Sequence, residues 1–414
     1  MTTSSAPRRA YVAVLALTVA FILYGSLFPF AWYERPGSAL AHLLGTWQDW
    51  DHRGDLLANI VLYVPFGFFL VAAAAPHRPA ATRLLIAVAA GSALACGVEL
   101  TQYHDFGRTT SMGDVYANAI GSAAGAVAAV LFGASIRWPL VKEAAAHPAP
   151  ALLVVMWAGS DLFPYVPTID MHKYWHAVRP LLDLPVLPLT DVLAALAVWA
   201  FLGFIVLSLY GFRRFLLLFP LLVAAEALAK VLILDNALTH ANLLAAVMAY
   251  GGWIVLHRRP GRVVLLTLGV AAVVLHQRLS PFDFSGPPTP FAWLPFHDLM
   301  TDAEGPAVPL FCQKFFLIGG LVWLLGRCGM PLPVATALTA LVLFGTGWAQ
   351  TRIPGHSGEA TDAVMALALG TVFMLLRAIA APRRDAMAVE LAPLAPSPVP
   401  VGRRYAPYVP PHLR

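Results

Sequence analysis

The sequence predicts an all-α, polytopic integral membrane protein, and three observations carry that prediction. Of 414 residues, 59% are hydrophobic and only 12% are Asp, Glu, Lys or Arg, whereas a soluble globular chain averages about 25% charged residues. The apolar residues gather in twelve runs, most of them near the roughly 20 residues that a helix needs to cross a bilayer. The basic residues are placed unevenly. With the N-terminus inside, inner segments carry 18 of the 27 Lys and Arg, outer segments carry 7, and Lys230 and Lys314 lie within spans. That bias follows the positive-inside rule and predicts N-in, C-in. Together these features exclude a soluble enzyme, a disordered chain and a nucleic-acid binder. The net charge of +5 reads as the cytoplasmic excess of Lys and Arg.

The expected spans are 11–33, 55–75, 84–103, 113–133, 151–166, 190–210, 215–234, 241–256, 263–280, 308–326, 331–349 and 360–377. The first is read as a span, not a cleavable signal: it is about 23 residues long and lacks an A-x-A exit. The run at 151–166 is short and carries Asp161 near its end. The segment 382–414 is rich in Pro and Arg and is expected to form a disordered cytoplasmic tail. Cys96, Cys312 and Cys328 form no C-x-x-C pair, so neither a disulfide framework nor a zinc site is expected. No cofactor is expected either.

The runs fall into three sets of four, at 11–133, 151–256 and 263–377. Long outer loops (34–54, 167–189, 281–307) follow spans one, five and nine. Leu27-Phe28-Pro29-Phe30 returns as Leu162-Phe163-Pro164-Tyr165 and as Ser280-Pro281-Phe282. Asp55…Gly67-Phe68 returns as Asp191…Gly203-Phe204. Glu99-x-x-Gln102…Asp114 returns in part as Gly347-x-x-Gln350…Asp362, and the second copy keeps Glu226 and Asn242. Even-numbered units keep one orientation, so these are expected to be parallel repeats.

Polar groups within spans are costly, about 2.5–3.5 kcal/mol for an acid at mid-span, so their default reading is functional. The first set concentrates them. Asp55, Asn59 and Tyr63 recur every four residues, on one helical face. Pro65 follows and should kink that helix. Glu99 and Gln102 are i, i+3 neighbours at the outer end of span three, and Arg108 lies in the next loop. Asp114, Asn118, Gly121 and Gly125 share a stripe on span four. Structural readings stand beside the functional one. Gly121-x-x-x-Gly125 suits close helix packing, Ser111-x-x-Asp114 is a capping box, Asp55 suits a helix N-terminus, and Glu99 with Arg108 would make an ion pair.

The pattern Asp55-x-x-x-Asn59-x-x-x-Tyr63-x-Pro65-Phe66-Gly67, Glu99-x-x-Gln102, Arg108, Asp114-x-x-x-Asn118-x-x-Gly121 resembles the VanZ-like family across about residues 20–133. The Leu294-Pro295-Phe296 element of the third set looks like the family's too. The later sets depart from the pattern: Ala195 stands for Asn59, Phe201 for Pro65 and Ala366 for Asn118. The resemblance implies a bacterial cytoplasmic-membrane protein, with a link to glycopeptide (teicoplanin) resistance, and places any site in the first set.

Three function classes follow. The first is a site for an envelope amphiphile at the extracytoplasmic face, either a lipid-linked precursor or a lipophilic glycopeptide. Membrane lipids would be its surroundings, and Trp47, Trp50, Trp175 and Trp293 would lie in the outer loops beside His52, His172, His176 and His297. There Arg108 would meet an anionic head group, with Gln102 and Asn118 bonding it. The second is a membrane hydrolase or transferase using Glu99, Asp114 and His104; the residues leave open whether any reaction is catalysed. The third is a small-molecule transporter with Glu226 and Lys230 as a buried i, i+4 pair.

Overall fold

The computed structural model describes residues 5–46, 53–74, 78–106, 108–135, 138–183, 187–297 and 307–391, with the side chains of 5–7, 53–55, 133–135 and 382–391 excepted. Trp47, Trp50, His52, the side chain of Asp55 and residues 392–414 therefore lie outside the described residues. Within them the chain forms 14 α-helices and no β-strand. In order these are α1 (Ser5–Leu27), α2 (Ala39–Gly45), α3 (Arg53–Ala73), α4 (Ala80–Gln102), α5 (Met112–Ser135), α6 (Pro139–Ala146), α7 (Pro148–Asp161) and α8 (Met171–Val178). They continue as α9 (Leu189–Leu232), α10 (His240–Leu256), α11 (Arg262–Leu279), α12 (Ala307–Arg327), α13 (Leu332–Gln350) and α14 (Thr361–Leu391).

Nine of the described helices are long and apolar enough to cross a membrane. The difference from twelve runs has three sources. The run at 151–166 lies on α7, which has 14 residues. The run at 241–256 lies on α10, which has 17. The runs at 190–210 and 215–234 share the 44-residue α9. That helix is broken at Gly211, where φ is 75° and ψ is 168°, a backbone region open essentially to glycine alone. Trp199 and Phe219 lie 20 positions apart, about 30 Å along a straight helix, yet their ring centroids are 5.7 Å apart. The chain turns back on itself at Gly211, so α9 is two antiparallel arms. The last helix, α14, runs on through Leu391, into the segment expected to begin the tail.

One short motif recurs after α1, α7 and α11. A cis proline (Pro29, Pro164, Pro281) is followed by an aromatic residue at positive φ: Phe30 at 63°, Tyr165 at 61° and Phe282 at 65°. Each of these donates its N–H to the carbonyl three residues back, at the end of the helix: Phe30 to Leu27, Tyr165 to Leu162 and Phe282 to Leu279, at 2.9, 3.0 and 2.6 Å. The segments beyond the first two pair in the same way, Trp32 with Asp105 and Pro167 with Ile233, both antiparallel. On α8, Lys173 donates to the carbonyls of Lys230, Val231 and Asn236, which caps the second arm of α9. Burial lowers its pKa from the ordinary lysine value, with Asp235 opposing that shift.

The largest apolar core joins α7 and α9 to α14, and it reaches Ala10 and Val14 of α1. A smaller one holds Ile22, Leu43, Tyr63, Phe66, Ala95 and Val115. Helix α1 belongs to both: it packs on α3 and on α14, and Tyr24 donates its hydroxyl to the Pro295 carbonyl at 2.6 Å.

Candidate functional site

The first polar cluster is built on an unusually close crossing of α3 and α5. A Cβ on Gly121 would lie 2.2 Å from the Ile60 carbonyl oxygen, and one on Gly125 would lie 1.9 Å from that of Val64. Only glycine permits this approach, so the pair packs as its spacing suggests. With the backbones this near, short side chains reach across. Asn59 of α3 donates Nδ2–H to Asp114 Oδ1 of α5 at 2.5 Å.

The start of α5 differs from the expected capping box. The Ser111 hydroxyl accepts from the Gly113 N–H at 3.1 Å, as an N-cap should. The Ser111 N–H, however, is taken by Glu99 Oε2 at 2.9 Å. Glu99 belongs to α4 and is only 2% exposed, so the acid at this cap comes from another helix while Asp114 meets Asn59. The helix N-terminus supplies the positive end of a dipole to this buried carboxylate.

Gln102 and Arg108 reach elsewhere. Gln102 donates to the Ser26 carbonyl at 2.6 Å. Arg108 donates Nε–H to the Phe28 carbonyl at 2.8 Å and an Nη2 hydrogen to that of Gly25 at 3.2 Å. Both therefore bind carbonyls at the C-terminal end of α1, which are unpaired by the end of the helix. The later sets repeat these contacts with other residues. Gln350 donates to the Arg278 carbonyl at 2.9 Å, and Asn236 donates to that of Phe163 at 2.7 Å.

The eight candidates thus divide. Asn59, Tyr63, Glu99, Asp114 and Asn118 stand on the facing sides of α3, α4 and α5. Gln102, at the end of α4, and Arg108, in the loop that follows, bind carbonyls at the end of α1, and the Asp55 side chain lies outside the described residues. Tyr63 Oη, Asn118 Oδ1 and Ser122 Oγ at this junction are buried without a hydrogen-bond partner, as are Gln102 Oε1 and Thr110 Oγ1 beside the α4–α5 loop. Tyr63 is fully buried and Asn118 is 4% exposed. Sequence reasoning passed over Ser122 and Asp105. Ser122 continues the Asp114, Asn118 stripe by one more turn, a signal that was available. Asp105 is fully buried and accepts the Ala31 N–H at 2.9 Å, although its sequence context is that of an ordinary loop acid. His104 is exposed. Among the described residues no three His, Cys, Asp or Glu side chains gather as a metal site.

Apolar helices with a polar junction held between them define a multi-pass helical membrane protein. Within it, residues 9–133 match the VanZ-LLP1 family model, described as VanZ/LLP1, over the stretch on which the resemblance rests. No curated protein and no solved structure matches the chain.

Proposed function

We propose that this is a VanZ-like protein of the bacterial cytoplasmic membrane that handles envelope amphiphiles at the extracytoplasmic face. Its ligand is a lipid-linked precursor or a lipophilic glycopeptide, which would connect it to antibiotic resistance. The site is the α3–α4–α5 junction, with Asp55, Asn59, Tyr63, Glu99, Gln102, Asp114 and Asn118 as its polar groups and Arg108 at its rim. The chain is three parallel four-helix units, 11–133, 151–256 and 263–377, with both termini inside. The recurring turn after Pro29, Pro164 and Pro281 supports the three units.

The observation that carries the reading is the set of buried oxygens without partners at one junction. A buried polar atom left unpaired costs about 1–3 kcal/mol. A scaffold gains nothing from keeping several, whereas a site gains their use when a ligand supplies donors. Tyr63→Phe separates the two. It removes only an unpartnered hydroxyl, so it should leave thermal stability unchanged or higher. Binding of a polyprenyl phosphate or of a teicoplanin-type lipoglycopeptide to the full chain in nanodiscs should weaken about tenfold, which corresponds to about 1.4 kcal/mol. If neither probe binds, or the variant binds as the parent does, the site reading fails.

A further inference from the structure

A second polar region is formed wholly by helices outside residues 9–133. A cavity of about 490 Å³ is lined in part by Trp157 and Asp161 of α7, Asn242 of α10, Gln277 of α11, and Gln313 and Phe316 of α12. Two of its lining residues, Asp161 and Asn242, belong to one chain of contacts with Lys230 and Glu226 of α9. Asp161 Oδ1 lies 3.0 Å from Lys230 Nζ, and Lys230 lies 2.7 Å from Glu226 Oε1. Asn242 donates to that same Glu226 oxygen at 2.8 Å and is itself held by Trp199 Nε1–H at 2.8 Å. The sequence suggested the Glu226–Lys230 pair; Asp161 makes it a triad, with one ammonium between two carboxylates.

The triad is unbalanced in two respects. Its formal charge is negative, since two acids face one base. Its unsatisfied atoms are acceptors: Asp161 Oδ2 and Glu226 Oε2 are buried without a hydrogen-bond partner. Buried acceptors beside excess negative charge call for a cationic donor. Trp157 and Phe316 line the same cavity, and aromatic side chains suit a cation as well. The volume falls within the range of small-molecule sites.

We propose that this cavity binds an organic monocation, a primary ammonium group on a small apolar body. Asp161 receives the ammonium, and Gln277 and Gln313 stand at the polar rim. The site is independent of the α3–α4–α5 junction, and either can fail without the other.

The test is equilibrium dialysis of radiolabelled benzylammonium against the full-length protein in zwitterionic nanodiscs, with phenylmethanesulfonate as the anion of similar shape. Benzylammonium is expected to bind, and the anion to bind at least tenfold more weakly. Asp161→Asn should weaken the cation at least tenfold. Because Asp161 also holds Lys230, that variant can misfold. Gln277→Lys, at an exposed rim position, brings a second ammonium to the site without removing a buried contact. It should lower affinity by a similar factor while the protein stays monodisperse. Equal binding of cation and anion, preference for the anion, or parent-like binding by Gln277→Lys would overturn the proposal.

Discussion

Asn59 and Asp114 face each other across α3 and α5, and their pairing was only half legible. The four-residue spacing of Asp55, Asn59 and Tyr63 shows that they share a helical face, but not which face of α5 they meet. The capping signature at Ser111 suggested a local role for Asp114. The glycines decided otherwise, because the backbones come close enough for Asn59 to reach Asp114, and Glu99 fills the cap from α4. Spacing cannot report such an exchange, since it depends on distances between helices. A double-mutant cycle with Asn59→Ala and Asp114→Ala, read by thermal unfolding in detergent, should give a coupling between about 0.6 kcal/mol, the average for membrane hydrogen bonds, and about 1.7, their observed maximum. A coupling of zero would mean that the pair is incidental. Arg108 teaches the same lesson. A loop arginine at an outer face suggests a head-group contact, yet two of its donors serve the carbonyls of α1, a role that no single-helix pattern contains.

At the scale of elements, hydropathy located helices well and their ends less well. The two runs at 190–210 and 215–234 are separated in the sequence by Arg213 and Arg214, and the structure carries both on α9, bent at Gly211. The hinge itself is Gly211, whose backbone conformation is unfavourable for any side chain. Gly211→Ala should cost about 1–3 kcal/mol, seen as a lower unfolding temperature. Gly251 offers the contrast: it lies inside α10, and a Cβ there meets nothing within 4 Å. Gly251→Ala should raise stability by about 0.5–1 kcal/mol. If both substitutions move stability in the same direction, the Gly211 turn is not the constraint that its geometry implies. The polar junctions after Pro164 and Pro281 were legible only in part. Their sequences differ at most positions, and what recurs is a donation to a helix-end carbonyl that Gln350 and Asn236 can each make.

For the whole molecule, the positive-inside bias leads to a direct test of topology. Cys328 is exposed, Cys96 is partly buried and Cys312 is buried. In the N-in, C-in arrangement Cys328 follows α12 on the cytoplasmic side. A membrane-impermeant maleimide should therefore label it in inverted vesicles and leave it unlabelled in intact spheroplasts, with Cys96→Ala and Cys312→Ala removing the background. The opposite pattern would reverse the topology. Neither hydropathy nor charge indicated how the helices meet, because lipid-facing and protein-facing apolar residues look alike in a sequence.

Helix α1 is made long before α14, against which it packs. Its neighbour α3 arrives early, but the contacts with Pro295 and α14 must wait until those later segments have been made. One flank of α1 therefore faces lipid while the intervening helices are made and exchanges it for protein when α14 arrives. Assembly closes like a clasp, with two helices distant in sequence meeting side by side.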